Sequence, residues 1–324
     1  MARILVVGAP SLLTLAQQVA IAFKRDGHTV RFFNYRALNL QHWPLTNRFL
    51  NKWLIHTAKR FKPDLLFVVK GESILPGTIT AIKQLGVTTA DWIIDEPTGV
   101  YYPAGKITNI PEYDYLFSFD NSYVPLIKKL GGKHVTFLPI SVEETYFKER
   151  IPLAKRQYTS DVCFIGTYWP ERATLFKLIA DKNLHIYGPH WSEKLAPDDS
   201  LRPHLRRKQI KGDAACAYFN LTKINLNQTH QQAVDGGINL RIPEVIATRS
   251  FLLTNELKGL EKIFVPGKHL VTYTTPADFK RKIEYYLSHP DERDKIANAG
   301  YEHFLKHQTL RHRTREILSI TKTK

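Results

Sequence analysis

The 324-residue chain has little cysteine, no long unbroken apolar run and no internal repeat. Cys163 and Cys216 stand alone in apolar or helical surroundings without a CxxC, which excludes a disulfide framework and points to the reducing cytoplasm. The stretch from Ile4 to Phe23 carries no charge, yet Gly8 and Pro10 interrupt it after a short strand, and Gln17 and Gln18 fall on the polar side of an amphipathic helix. It therefore lacks the roughly 20 continuous apolar residues that a membrane span requires. The absence of a solenoid period excludes a repeat array. An aromatic content of 11% with only 17 glycines excludes a low-complexity chain.

Cofactor motifs are missing as well. "GAPS" after the first strand lacks the second and third glycines of GxGxxG, and the second strand ends "FFNYRA" without an acid, so a nicotinamide dinucleotide is not expected. "HFLKH" has histidines at i and i+4 but no intervening glutamate and no cysteine partner. No Asp-x-Asp pair sits in a strand-end loop, and "PDD" at 197–199 lies in a polar one. The expectation is a protein with no cofactor and no metal.

Basic residues, by contrast, are abundant. Lys and Arg total 46 against 30 Asp and Glu, a formal charge of +16, and the excess is spread over both halves: 18 against 12 in residues 1–150 and 28 against 18 in the remainder. The densest clusters are "RPHLRRKQIK" (202–211) and the C-terminal "KHQTLRHRTREILSITKTK". Either suits an anionic membrane surface, a nucleic acid or a phosphorylated substrate, or is a solvated helix face.

The length exceeds what one hydrophobic core usually spans, so two domains are expected. "RILVVG", "TVRFFN", "DLLFVVK", "ADWIID", "YLFSFD" and "HVTFLP" alternate with helical patterns, and Gly27, Gly86 and Gly131 fall at helix ends. After a polar linker, "SVEETYFKERIPLAKRQYTS", a second series runs "DVCFIG", "LHIYG", "KINLN", "SFLLTN" and "HLVTY", then three helices. The pattern predicts two α/β domains of Rossmann-like type, at 1–150 and 151–305, with a last helix at 306–324. Facing domains of this kind hold ligands in a cleft at the carboxyl ends of their strands.

Several stretches are candidate site elements. Gly8 and Ser11 lie in the first strand-end loop, a structural turn or an acceptor contact. "IGTYWPER" ends a strand at Gly166 and opens a helix near Pro170, so that Arg172 and the free amides of the first turn can both face a diphosphate, or Arg172 is only a surface residue. "IYGPHW" offers Tyr187, Gly188 and Trp191, a stacking face and a backbone edge for a base, or else core aromatics. Gly236 and Gly237 precede a predicted helix whose unpaired amides would attract an anion, with Asn239 and Arg241 close behind. Glu244 follows Arg241 by three residues. A buried acid there is costly unless it serves a partner, either the two hydroxyls of a ribose or Arg241 itself.

From "DWIIDEP" through "DVCFIGTYWPER", "IYGPHW", "INLNQTH", "GGINLRIPEVIATRSFLLTNE", "LEKIFVPGKHLVTY" and "YYLSHPDERDKIANAGYEHFLKHQTLRHR", the chain resembles the CgeB-type glycosyltransferases, relatives of the group 1 glycosyltransferases. The likeness covers most of residues 90–318. It implies a GT-B fold, a nucleotide-sugar donor held mainly by the C-terminal domain, an acceptor held mainly by the N-terminal one, and a last helix that crosses back to the first domain. Many group 1 enzymes carry two glutamates with seven residues between them. Glu244 matches the second, expected at the ribose, and Gly236 stands at the first, which leaves the catalytic glutamate unassigned; the resemblance still implies a retaining outcome.

In glycosyl transfer the leaving diphosphate gathers charge, so fixed cations and amides lower the barrier without a metal. Arg172 and Arg241, with the amides of Gly166 and Gly237, are the candidates. Asp95 and Glu96, in "DEP" after a strand end, are candidate bases or acceptor contacts, and His230 in "NLNQTH" is a second choice against an ordinary loop histidine. Acceptors of matching chemistry are a glycan, a protein or a lipid-linked precursor, with nucleic acid as a further acceptor. The alternative class is a catalytically silent protein that binds a nucleotide sugar or nucleic acid through its basic surface.

Overall fold

A computed structural model describes residues 1–10, 14–36, 44–98, 109–206, 210, 212–229 and 233–323. Ser11 and His230 lie outside them. The chain divides into two compact units: residues 1–143, 232–238 and 309–324 form the first, and residues 144–231 and 239–308 the second. The sequence-based boundaries at 150 and 305 contain no counterpart of the short 232–238 excursion.

In the first unit β1 (Arg3–Gly8), β2 (Thr29–Asn34), β3 (Leu65–Val69), β4 (Thr88–Ile93), β5 (Tyr115–Ser118) and β6 (His134–Phe137) make one sheet in the order β2-β1-β3-β4-β5-β6. Every neighbouring pair is parallel. Helices α1 (Leu15–Arg25), α2 (Pro44–Phe61), α3 (Thr78–Lys83) and α4 (Val124–Lys129) supply the crossovers. Strand β3 is buried along its whole length, which explains its unbroken "LLFVV" in place of an alternating pattern.

The second unit repeats the plan with β7 (Ser160–Ile165), β8 (Leu184–Tyr187), β9 (Thr222–Asn227), β10 (Leu252–Asn255) and β11 (Val271–Tyr273), all parallel, in the order β11-β10-β9-β7-β8. Its helices are α5 (Pro170–Lys177), α6 (Trp191–Lys194), α7 (Asp213–Asn220), α8 (Arg241–Ala247), α9 (Pro276–Ser288) and α10 (Pro290–His303). In both sheets the chain reverses direction beside the first strand, at β1/β3 and at β7/β9, the switch points where open α/β sheets take ligands. The core of the second unit is built on Phe164, Phe176, Trp191 and Phe279, with Phe176 stacked 5.9 Å from Trp191.

A π-helical turn at Phe304–Gln308 leads into α11 (Leu310–Thr321), which returns to the first unit as expected. There Asp26, at the end of α1, accepts from Arg311 and Arg315, and Arg313, only 7% exposed, donates to the Pro139 carbonyl at 3.0 Å. Burial alone would raise the Asp26 pKa. The two guanidinium groups outweigh it and hold the carboxyl below its ordinary value.

Cys163 and Cys216 are free and buried, and burial pushes their thiols up to about 12 and about 11, which leaves neither nucleophilic near neutrality. Among the described residues no helix is long and apolar enough to cross a membrane.

Candidate functional site

The carboxyl end of the second sheet gathers most of the chemistry. Strands β7 and β9 end at Ile165 and Asn227, and Arg172, in the first turn of α5, reaches across both following loops. Its Nη1 donates to the Thr167 carbonyl at 2.7 Å and its Nη2 to the Gln228 carbonyl at 2.6 Å, while the guanidinium lies 5.0 Å from the Phe164 ring centroid. Burial and, to a lesser degree, the nearby Arg241 push its pKa down to about 10, so the charge persists at neutral pH in a poorly solvated place. The sequence reading aimed this guanidinium at an anion. The fold uses its fork first to fasten two loops, and the positive charge remains at the switch point.

Arg241 opens α8. Its Nε donates to the Ile165 carbonyl at 3.2 Å, and its Nη1 lies 2.5 Å from Glu244 Oε2. The ion pair that the i, i+3 spacing allowed is therefore formed, and Glu244 Oε1 makes no hydrogen bond among the described residues. The helix starts later than the sequence reading placed it. Pro243 has no N–H and its ring crowds the carbonyl four residues earlier, so it is tolerated only in a first turn, which puts the start at Arg241 and not just after Gly237. Asn239, ahead of that start, donates to Asn227 Oδ1 at 2.9 Å and leaves its own Oδ1 buried without a partner.

Gly236 and Gly237 have another setting. They belong to the first unit, where the fully buried Asp120 accepts from the amides of Val234 at 2.5 Å and Asp235 at 3.0 Å, and from the amide and hydroxyl of Ser122. A Cβ on Gly237 would overlap the Asp120 carboxylate. The protein thus supplies its own anion to this loop, and the expectation of a helix-terminal diphosphate site at Gly237 is corrected.

Three further expectations change on burial and bonding. Tyr187 and Trp191 are 3% and 2% exposed; Tyr187 packs 5.2 Å from Tyr218, and Trp191 packs among Phe164, Tyr168 and Phe176 while donating to the Gly166 carbonyl at 2.9 Å. Both are core residues and neither offers an open stacking face. The Gly166 amide donates to the Tyr187 carbonyl at 2.8 Å, so it is not free for a phosphate. Gly188 has φ +141°, and a side chain there would overlap the Gly166 carbonyl, so these two glycines are required by each other.

Sequence reasoning missed the groups that line a cavity of about 760 Å³ at the ends of β9, β10 and β11. Gln228, Asn255, Glu256 and Tyr273 face it, with Thr174 of α5 and Thr275 before α9. Gln228 Oε1 and the Tyr273 hydroxyl are buried without partners, and burial raises the Tyr273 pKa. The available signal was the polar residue closing each apolar strand, in "INLNQ" and "LLTNE".

In the first unit Gly8 is explained by packing, because a Cβ would overlap that of Ala16 on α1. Asp95, just past β4, receives the Lys70 ammonium at 2.7 Å. Lys70 also lies 3.6 Å from Glu72, which in turn pairs with Arg36, so the ends of β2, β3 and β4 carry a chain of alternating charge. Glu96 lies near Tyr123, whose hydroxyl is pushed up to about 12 by burial first and by Glu96 and Asp120 next.

Comparison with known proteins fits this geometry. Residues 162–319 match the glycosyl transferase-like family. The chain is 23% identical over 260 residues to the spore protein CgeB of Bacillus subtilis (strain 168), covering 75% of this chain and 78% of that one. Among solved structures it is similar to a glycosyltransferase from Rickettsia africae ESF-5 (TM-score 0.71, 13% identity, 99% of this chain and 98% of the other). Sucrose-phosphate synthase from Thermosynechococcus elongatus gives a TM-score of 0.71 at 10% identity, again over 99% and 98%. Anabaena HepE in complex with UDP-glucose gives 0.68 at 12% identity, over 99% and 100%. The fold is the one that GT-B glycosyltransferases adopt. The sequence is similar to the glycosyl transferase-like family over 162–319 and to CgeB over most of its length.

Proposed function

We propose that the protein transfers a sugar from a nucleotide-sugar donor to a hydroxyl acceptor, without a metal and with retention at the anomeric carbon. The observation that carries this reading is the pair of fixed guanidinium groups, Arg172 and Arg241, anchored on the carbonyls of Ile165, Thr167 and Gln228 at the β7/β9 switch point. Two cations held by backbone need no reorganisation when a diphosphate leaves, which is the condition for electrostatic lowering of the barrier. Glu244 has one oxygen on Arg241 and one left for a ribose hydroxyl. The complex of HepE with UDP-glucose supports a uridine donor as the first to try. The first unit takes the acceptor, a glycan, a protein or a lipid-linked precursor, with Asp95 or Glu96 near the hydroxyl.

The test is a thermal-shift panel of UDP, ADP, GDP and dTDP with their glucose conjugates, on the wild type and on Glu244→Ala. A selective shift that the substitution abolishes supports the donor site and names the base. A panel with no shift at all overturns it. The silent-binder alternative, favoured by Gly236 at the position of the first glutamate, predicts the same shift without nucleoside diphosphate release on any acceptor.

A further inference from the structure

Helix α2 presents an exposed face of unusual composition. Its sequence, PLTNRFLNKWLIHTAKRF, contains no Asp or Glu. Leu50, Leu54, Thr57 and Ala58 are buried against the first unit, and Asn51 fixes the helix by donating to the Ser73 carbonyl at 2.9 Å and accepting from the Leu75 amide at 3.0 Å. The opposite side carries Arg48, Phe49, Lys52, Trp53, His56, Lys59 and Arg60, all exposed. Phe49 is 59% and Trp53 41% exposed, and their i, i+4 spacing sets them side by side. None of the four cations has an ion-pair partner among the described residues, whereas Arg311, Arg315, Lys70, Arg241 and Arg156 elsewhere are paired. Arg31 adds a fifth: it is exposed on the edge strand β2, two residues before Phe33 and hence on the same sheet face, and Phe33 meets the Trp53 ring at 5.2 Å.

A merely solvated helix face mixes signs and carries few large aromatics. Here cations of one sign surround two exposed aromatic rings on a rod held rigidly by its other side. That is the composition of a surface lying in a lipid headgroup layer, where Trp and Phe enter the interface and Lys and Arg meet anionic lipids. Single-stranded nucleic acid is bound along charged grooves with aromatic platforms, and a helix face is convex, so the lipid surface is the better match.

We propose that α2 docks the protein on an anionic membrane surface. The inference does not depend on the donor site, and failure of the nucleotide panel leaves it standing. The experiment is flotation of the full chain with vesicles of phosphatidylcholine alone and of phosphatidylcholine with about one-third phosphatidylglycerol. Three variants accompany the wild type: Arg48→Glu/Lys52→Glu, Phe49→Ser, and Lys128→Glu/Lys129→Glu on α4 as a charge-matched control. Circular dichroism checks folding, which surface changes on this face leave intact.

The expected result is binding to the anionic vesicles only, weakened at ~0.5 M salt. Each cation near such a surface is worth about a fivefold change in partitioning, so the double reversal on α2 lowers binding by at least ~20-fold. Phe49→Ser lowers it several-fold without altering its salt dependence, and the α4 control stays close to wild type. Equal losses in the two charge-reversal variants would show attraction by net charge alone and overturn the proposal. Wild-type binding to anionic vesicles no tighter than to neutral ones would do the same. So would an α2-dependent preference for oligothymidylate over vesicles.

Discussion

Arg172 donates from Nη2 to the main-chain carbonyl of Gln228 at 2.6 Å, joining the loop after β7 to the loop after β9 through a side chain that also carries charge. One residue therefore shapes the switch point and sets its potential. Arg172→Lys keeps the charge and loses the planar fork. The expected outcome is a loss of about 1–3 kcal/mol in stability together with a fall of about tenfold or more in kcat/KM. Urea unfolding and steady-state kinetics check the two separately; full activity at wild-type stability would remove Arg172 from the site.

Gly188→Ala places a methyl group on the Gly166 carbonyl at a φ of +141°. Backbone cannot retreat as a flexible side chain can, so the substitution should cost on the order of 3 kcal/mol or more. Denaturant midpoints measure it. A change of a few tenths would mean that the β7 and β8 loops separate easily.

Asp120 accepts from the amides of Val234 and Asp235 with no exposure to solvent. Asp120→Ala should destabilise the first unit by about 2–4 kcal/mol, because three amides and the Ser122 hydroxyl lose a charged acceptor, and Asp120→Asn by less. Hydrogen exchange at Val234 and Asp235 provides a local readout: protection should drop first there. Unchanged exchange at both amides would contradict the bonding described.

His269 is 6% exposed, stacked 4.1 Å from His303, and accepts the Val265 amide at 3.0 Å on Nδ1. Burial, followed by His303 and Lys268, pushes its pKa down to about 4. The unfolded chain takes up this proton near pH 6.5 and the folded one resists it until about 4. Stability is therefore complete above about pH 6.5 and declines as the pH falls toward 4, by on the order of 2–3 kcal/mol. Urea midpoints between these limits test it, with the His269 ring resonance followed by NMR; titration of that ring near 6.5 would rule the mechanism out.

How much of this was legible beforehand varies by element. The strands could be read because apolar runs bounded by helical periodicity encode a parallel sheet with little ambiguity, and the predicted "RILVVG" and "DVCFIG" strands lie at Arg3–Gly8 and Ser160–Ile165. The return of the last helix was implied by the resemblance. The start of α8 was legible in principle, since Pro243 forbids an earlier start, but the glycine pair drew the reading upstream. Tyr187 and Trp191 were not legible as core, because a strand-end aromatic has the same sequence whether its ring faces solvent or Phe176. Nothing local to Gly237 announces a carboxylate 117 residues earlier in the chain.

The sequence alone determined the two α/β repeats, the scarcity of reactive thiols and the basic character of the chain, since each follows from local periodicity or from counting. Tertiary structure decided which polar groups meet: Arg172 on two loop carbonyls, Arg241 on Glu244, Asp120 under the Gly236–Gly237 loop, and an acid-free face on α2 left uncovered. Such pairings depend on where crossover connections bring distant strand ends together, and hydrogen-bond geometry operates over about 3 Å. Sequence periodicity specifies the elements, but that distance is fixed only when they pack.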